Sequence, residues 1–411
     1  MRKIAWFLLL AFTFAIPWEY SLDLGEPLGN AARIAGLLAL LAAILAILQA
    51  GRMRTPSAFH WLTLALFLWF CCSYFWTVDP AATLVKMRAW FQEMMIVWFI
   101  WEFADTPADL RNLLRAAVAG SWVLAILTFA AFRSPEAIAA GQIRFVATGQ
   151  DPNDLARFLD LGFPFAALLF ETDRRVIARI LALGFLPVGL LAVLLTASRG
   201  GFLAAVAALA GSAVLLLRGH ARRVLVGVFA LPFLAALLWF IIPAGTLDRL
   251  ATIPEQLRSG DLNQRLNIWS VGWRAFVHAP LLGSGAGSFT TTARLAPIDT
   301  AHNTALSIAV SGGLCALFLA SILFVLAVRS ALRTHGQLRI AFLTALSAWT
   351  ITTLVATVEE NRTTWLLLGI IVLAGRLACE DTNAFVESFT AAQQPHLASR
   401  LTSPLAPQPD S

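Results

Sequence analysis

The chain has 411 residues, 59% of them hydrophobic and only 13% charged, with a mean hydropathy of +0.75, whereas a soluble domain carries roughly 25% charged residues. So apolar a chain has too little polar surface to coat itself against water, which excludes a string of soluble domains. Its net charge of +6 comes from arginine, Lys3 and Lys86 being the only lysines, and these cations sit in short loops between apolar runs rather than on the basic face that nucleic-acid binding needs.

Apolar stretches able to cross a bilayer, about 20 residues each with some shorter or tilted, occur at 4–18, 28–49, 58–78, 88–104, 111–132, 154–171, 176–196, 200–217, 223–243, 302–328, 338–357 and 363–379. The predicted fold is therefore all-α and polytopic, with about twelve spans in a single transmembrane domain over 1–380. Arg2-Lys3 ahead of the first run has the look of a signal peptide, but no small-residue cleavage site follows, so the run is read as an uncleaved helix. Cys71, Cys72, Cys315 and Cys379 fall inside apolar runs without metal-ligand spacing and are read as packing residues. Two spans abut at Ser198-Arg199-Gly200-Gly201, where the chain must turn at the membrane face. The tail, 381–411, is polar and Pro-dotted, and is expected to be cytoplasmic and poorly ordered.

Arginine placement orients the bundle. With the amino terminus in the cytoplasm, the inside loops carry Arg2-Lys3, Arg52 and Arg54, Arg111 and Arg115, Arg174, Arg175 and Arg179, Arg218, Arg222 and Arg223, Arg329, Arg333 and Arg339, then Arg376. Both ends are then cytoplasmic. The exceptions carry information. Arg144, Arg157, Arg199, Arg265, Arg274, Arg294 and Arg362 fall on or near the external side; Arg133, Arg258, Arg274 and Arg294 read equally well as surface charges.

One long external segment runs over about 244–301. Leu262, Leu266, Trp269, Trp273 and Phe276 recur in it at helical spacing, which predicts an amphipathic helix on the membrane face or over a cavity, ended by Pro280. External arginines beneath such a helix suit a phosphate-bearing ligand, because guanidinium forks bind phosphate bidentately and stay charged. His302 opens a helix beside them and titrates near neutrality, so it can accept a proton from an attacking hydroxyl; a capping or packing histidine is the plainer alternative. His278 is a weaker candidate. Gly283-Ser284-Gly285-Ala286-Gly287-Ser288 lacks the strand and third glycine of a dinucleotide fingerprint and reads as a turn. Asp151-Pro152-Asn153-Asp154 offers too few carboxylates for a metal; Asn153 or Asp154 is expected to cap the next helix. Glu359-Glu360 either orients Arg362 or is solvated.

Five stretches in order, RFVATGQDPNDLA from Arg144, TASRGGFLA from Thr196, RLNIWSVGWRAFVHAPLLGSGAGSF from Arg265, AHNTALSIAVSGG from Ala301 and VEENRTTWLLL from Val358, resemble the O-antigen ligase and polymerase superfamily of bacterial membrane glycosyltransferases, WaaL-type ligases among them. The resemblance covers about residues 140–370. It implies about twelve membrane helices with a long loop between two late ones, an inner-membrane location, and transfer of a glycan from undecaprenyl diphosphate to an acceptor hydroxyl in the periplasm. It also implies that Arg199 and Arg265 bind the diphosphate and that His302 activates the acceptor. Arg144 matches a further substrate contact, and Arg157 and Arg362 join the candidate binding set.

The expected mechanism is an inverting displacement at the anomeric carbon, with arginines in place of a metal, no cofactor and no metal ligands assigned. The expected partners are the lipid-linked donor, a lipid A-core oligosaccharide as acceptor, and membrane lipids, with no nucleic acid. O-antigen polymerase and protein O-oligosaccharyltransferase share these motifs and stay open beside ligase. A transporter of an anion or lipid-linked substrate is the alternative of another class, but it would be expected to show internal repeats and midplane breaks.

Overall fold

The computed structural model describes residues 1–25, 29–258, 260, 262, 264–296, 300–380 and 389, with Ile138 described by its backbone only. Among these residues the protein is all-helical, save one isolated bridge between Asp23 and Asn30. The first half comprises α1 (Arg2–Ala15), α2 (Ala31–Ala50), α3 (Ala58–Cys72), α4 (Pro80–Phe103), α5 (Pro107–Phe132), the short α6 (Pro135–Ala139), α7 (Pro152–Thr172), α8 (Val176–Leu195) and α9 (Arg199–Leu217). There follow α10 (Ala221–Ile241), the external α11 (Ala244–Ala251), α12 (Ile253–Arg258), α13 (Arg265–His278) and α14 (Phe289–Ala293), and then α15 (Thr304–Arg333), α16 (Gly336–Thr353) and α17 (Arg362–Glu380). Each predicted span overlaps one long helix. Eight of these, among the described residues, are long and apolar enough to cross a membrane; α1, α4, α7 and α16 are shorter or more polar. The proposed tail, 381–411, lies outside the described residues apart from Phe389.

Helix starts follow side-chain chemistry. Asn30, Asp79, Thr106, Asp151, Ser198 and Asn303 each accept a first-turn backbone N–H, and Pro80, Pro107 and Pro152 follow where their missing N–H costs nothing. The cap of α7 is thus Asp151, not Asn153 or Asp154: its Oδ1 takes both of their amides, at 2.8 and 3.3 Å.

Helices α7 and α17 occupy the middle of the bundle. The first packs on α5, α8, α9 and α16, the second on α4 and α15. Lipid tails are as apolar as leucine, so close approach over small residues holds such helices together. A Cβ on Gly201 would meet that of Ala156 at 2.3 Å, and one on Gly211 would meet Thr344 Oγ1 at 2.1 Å. These contacts draw α9 onto α7 and α16. Helix α10 is the exception, with no buried residue at all.

The span expected at 302–328 is one helix in sequence but two in space. Gly313 adopts φ 67°, breaking α15. Ser284 N and Gly285 N donate to the freed carbonyls of Val310 and Ser311 at 2.8 and 2.9 Å, and Trp69 Nε1 donates to Gly312 O at 2.8 Å. The turn expected at 283–288 is therefore a staple set into a broken helix.

At the end carrying the amino terminus, Arg2 pairs with Glu102 and Asp105 at 3.0 and 2.9 Å, Arg54 with Asp105, Arg115 with Asp173 and Arg223 with Glu171. The opposite end, where α9 and α17 begin, holds the cleft described next.

Candidate active site

The turn between α8 and α9 is the centre of the site. Ala197 sits at φ 50°, a left-handed conformation uncommon for a residue with a Cβ. Ser198 then caps α9, accepting from Gly201 N at 3.1 Å while donating to Asn153 Oδ1 at 2.7 Å. Gly200 lets this turn lie against Val355, whose Cγ2 would sit 2.7 Å from an added Cβ. The turn is thereby clamped between α7 and the end of α16, and Arg199 projects from it into a cleft of about 140 Å³, several times the roughly 30 Å³ share of one water.

Arg144, Arg199, Arg249, Arg265 and His302 all line this cleft, together with Asn153 and the apolar Leu203, Ile253 and Leu257. Three of the arginines commit Nε to a main-chain carbonyl: Arg144 to Thr196 O at 3.2 Å, Arg199 to Arg249 O at 3.3 Å, and Arg249 to Ala197 O at 3.2 Å. The last two bonds together tie the 197–199 turn to Arg249. With Nε fixed, the terminal nitrogens remain for a ligand. Among the described residues, no carboxylate lies within ion-pair distance of any of the four guanidiniums. Burial, followed by repulsion from the neighbouring arginines, pushes Arg144, Arg249 and Arg265 below the ordinary guanidinium pKa, with Asp151 as a partial counterweight to Arg144 and Arg265. Positive charge is concentrated here, offset only in part by Asp151 among the described residues.

His302 lines the same cleft. Its backbone is left-handed, φ 46°, and its Nδ1 lies 3.5 Å from Thr300 Oγ1. The next residue, Asn303, caps α15 through Leu306 N at 2.9 Å. Trp269 Nε1 donates to Ala301 O at 3.0 Å, and Thr304 Oγ1 to Ala356 O at 2.9 Å, fixing the His302 loop to α13 and to the α16–α17 turn.

The amphipathic helix is real but rotated from the expected stripe. Its buried face is Ile268, Gly272 and Ala275 with Trp269, Val271 and Phe276 half-buried, while Leu266 and Trp273 face outward, at 50% and 59% exposure. Gly272 sets the phase: its bare Cα lets Phe289 and Leu306 come within about 3.0 Å of where a Cβ would be. His278 bonds its own helix, Nδ1 to Arg274 O at 2.7 Å.

Arg157 and Arg362 are placed elsewhere. Arg157 is 1% exposed, one turn below Asn153 on α7, and pairs with Asp154 at 3.0 Å. Arg362 pairs with buried Glu19 and donates to Gln92 at 2.6 Å, lining a different groove beside Arg33. Glu359 and Glu360 do not orient Arg362 through any ion pair among the described residues; Glu360 pairs with Lys86 instead. Glu359 is buried, and burial, then the charge of Glu360, raises its pKa to about 7. The neutral acid is the favoured form, so its contribution to stability is full below the unfolded value of about 4.3 and is lost as pH rises through the folded one. A Glu359→Gln variant is expected to show a flatter pH dependence of melting temperature between about pH 5 and 8 than the parent, checked by thermal unfolding in detergent.

Arg249 carried no motif. The signal available was Leu247 and Leu250 at helical spacing after Pro243: these two join a cluster with Leu194 and Ile242, which turns Arg249 towards the cleft.

No curated protein matches the chain. Residues 183–321, the stretch carrying Arg199, Arg249, Arg265 and His302, match the family model described as O-antigen ligase.

Proposed function

We propose that the protein transfers a glycan from undecaprenyl diphosphate to an acceptor hydroxyl, at the periplasmic face of the inner membrane. One observation carries the reading: four arginines converge on one half-buried cleft, and none of them meets a carboxylate within ion-pair distance among the described residues. A like-charged cluster in a half-buried cleft is costly unless an anion completes it. The positive-inside rule puts the cleft outside.

In the proposed reaction the acceptor oxygen attacks the anomeric carbon from the face opposite the diphosphate. The O–H proton passes to His302 as the new C–O bond forms. The bond from the anomeric carbon to the diphosphate oxygen breaks, and its electron pair leaves with the diphosphate, which gains a negative charge. Arg199, Arg249 and Arg265 bind that charge more tightly as it grows, which is the condition for lowering a barrier rather than only binding a substrate.

The ligase form of the reading, with lipid A-core oligosaccharide as acceptor, is favoured by the SRGG and AHNTAL pair beside a loop of middling length. A lipopolysaccharide gel from a deletion strain tests it. Loss of the capped ladder with glycan held on the carrier is expected; core capped by one repeat would point to a polymerase; an unchanged ladder with a glycosylation defect on protein, to an oligosaccharyltransferase. The transporter alternative loses its best feature, because the carbonyls freed at the break in α15 are bonded to the 283–285 loop and Trp69, not open to a passing substrate.

A further inference from the structure

A second groove, sharing no residue with the arginine cleft, lies between α2 and α4 with Phe12 of α1 at its back. Its volume is about 280 Å³. The walls step down it in parallel, through Arg33, Gly36 and Leu40 on α2 and through Gln92, Met95 and Phe99 on α4. From Arg33 to Leu40, as from Gln92 to Phe99, a helix rises about 10 Å, within the roughly 15 Å of hydrocarbon in one leaflet. Gly36 lets α1 and α2 close behind the groove, since a Cβ there would meet Phe12 Cε2 at 3.1 Å. The polar lining is confined to one end, where Arg33, Gln92 and Arg362 form a rim above apolar walls. Arg362 is already neutralised by Glu19, and its Nη2 donates to Gln92 Oε1 at 2.6 Å, which leaves the Gln92 amide NH₂ for another acceptor. Arg33 meets no carboxylate within ion-pair distance among the described residues. Its side chain folds back on Gly29, where an added Cβ would lie 2.9 Å from Arg33 Cδ and 3.0 Å from Nη1.

We infer that this groove binds one anionic phospholipid of the external leaflet, its phosphodiester on Arg33 and Gln92 and one acyl chain laid along Leu40, Met95 and Phe99. Charge selects the occupant. The rim offers one unmatched cation, which a single phosphodiester balances. A diphosphate would bring a second negative charge with no partner there, and a zwitterionic lipid would set an ammonium against two guanidiniums. Head and chain are two anchors on one molecule, so each raises the effective concentration of the other. The site is independent of glycan transfer.

The test places the full-length protein in phosphatidylcholine nanodiscs with a trace of phosphatidylglycerol or phosphatidylcholine, each carrying the same photoreactive acyl chain. Labelling of peptides containing Leu37, Leu40 or Met95 by phosphatidylglycerol is expected to exceed that by phosphatidylcholine about fivefold to tenfold, the worth of one phosphate–guanidinium contact at a membrane surface. Arg33 is exposed, so Arg33→Gln should fold, and it should bring the two probes level; Arg199→Ala should leave the preference intact. Leu40→Trp, which fills the apolar length and spares Arg33, should lower labelling by phosphatidylglycerol, and millimolar inorganic phosphate should not. Equal labelling of the parent by both probes, or a preference that survives Arg33→Gln, would make the groove a place for bulk lipid and overturn the proposal. Displacement of the probe by equimolar polyprenyl diphosphate or lipid A would give the groove to a substrate and overturn it too.

Discussion

Arg199→Ala is expected to lower the rate of glycan transfer by about 10²–10³-fold, the loss that follows removal of one preorganised contact to a developing oxyanion, or roughly 3–4 kcal/mol of barrier. Arg199→Lys should recover little of it. Lysine lacks the Nε that bonds Arg249 O, so its ammonium is neither locked nor forked. The melting temperature should barely move, since Arg199 is half-buried and pairs with no carboxylate among the described residues. Arg362→Ala offers the contrast. It strips the partner from Glu19, which is 1% exposed, and leaving a buried charge uncompensated costs about 3–5 kcal/mol. Arg362→Ala should therefore unfold early, whereas Arg199→Ala should fold and fail to turn over. The pair is read by thermal unfolding beside an in-vitro transfer assay. Equal losses of stability in both would remove the anion cleft from the account.

His302→Asn should lower turnover by about 10²–10⁴-fold, the range for loss of a general base, with binding of the carrier retained. Asparagine is the better probe than alanine here. Position 302 sits at φ 46°, and asparagine tolerates the left-handed region where alanine adds strain, so the loop pinned by Trp269 and Thr304 is disturbed least. The measurement is single-turnover transfer with carrier binding followed in parallel. Retained turnover would reduce His302 to positioning; lost binding would make it part of the anion cradle.

The residues that meet in the cleft were legible to different degrees. Arg199, Arg265 and His302 could be nominated because each sits in a short motif at a helix boundary, and boundaries are visible in hydropathy; Arg144, in the 140–151 loop, came from the family resemblance. Arg157 and Arg362 sit at similar boundaries, yet α7 and α17 are the most enclosed helices of the bundle, and cations on their faces meet Asp154 and Glu19 instead. Enclosure is a property of three-dimensional neighbours that hydropathy cannot see when lipid and protein interior are equally apolar. The phase of α13 was missed for a related reason. Counting apolar residues favours the side bearing Leu266 and Trp273, but Gly272 decides the contact by what it lacks. The break in α15 was written in Gly312-Gly313, and it stayed invisible because its partner, the 283–287 loop, is distant in sequence.

That break has a mechanical consequence. A continuous helix conducts bending along its ladder of backbone bonds, and a shaft gripped by a fluctuating bilayer bends continually. At Gly313 the ladder is interrupted, and the stub bearing His302 is tied sideways to the 283–285 loop instead. Tilting of the lower shaft is therefore expected to be taken up at the joint rather than passed to the stub that carries His302.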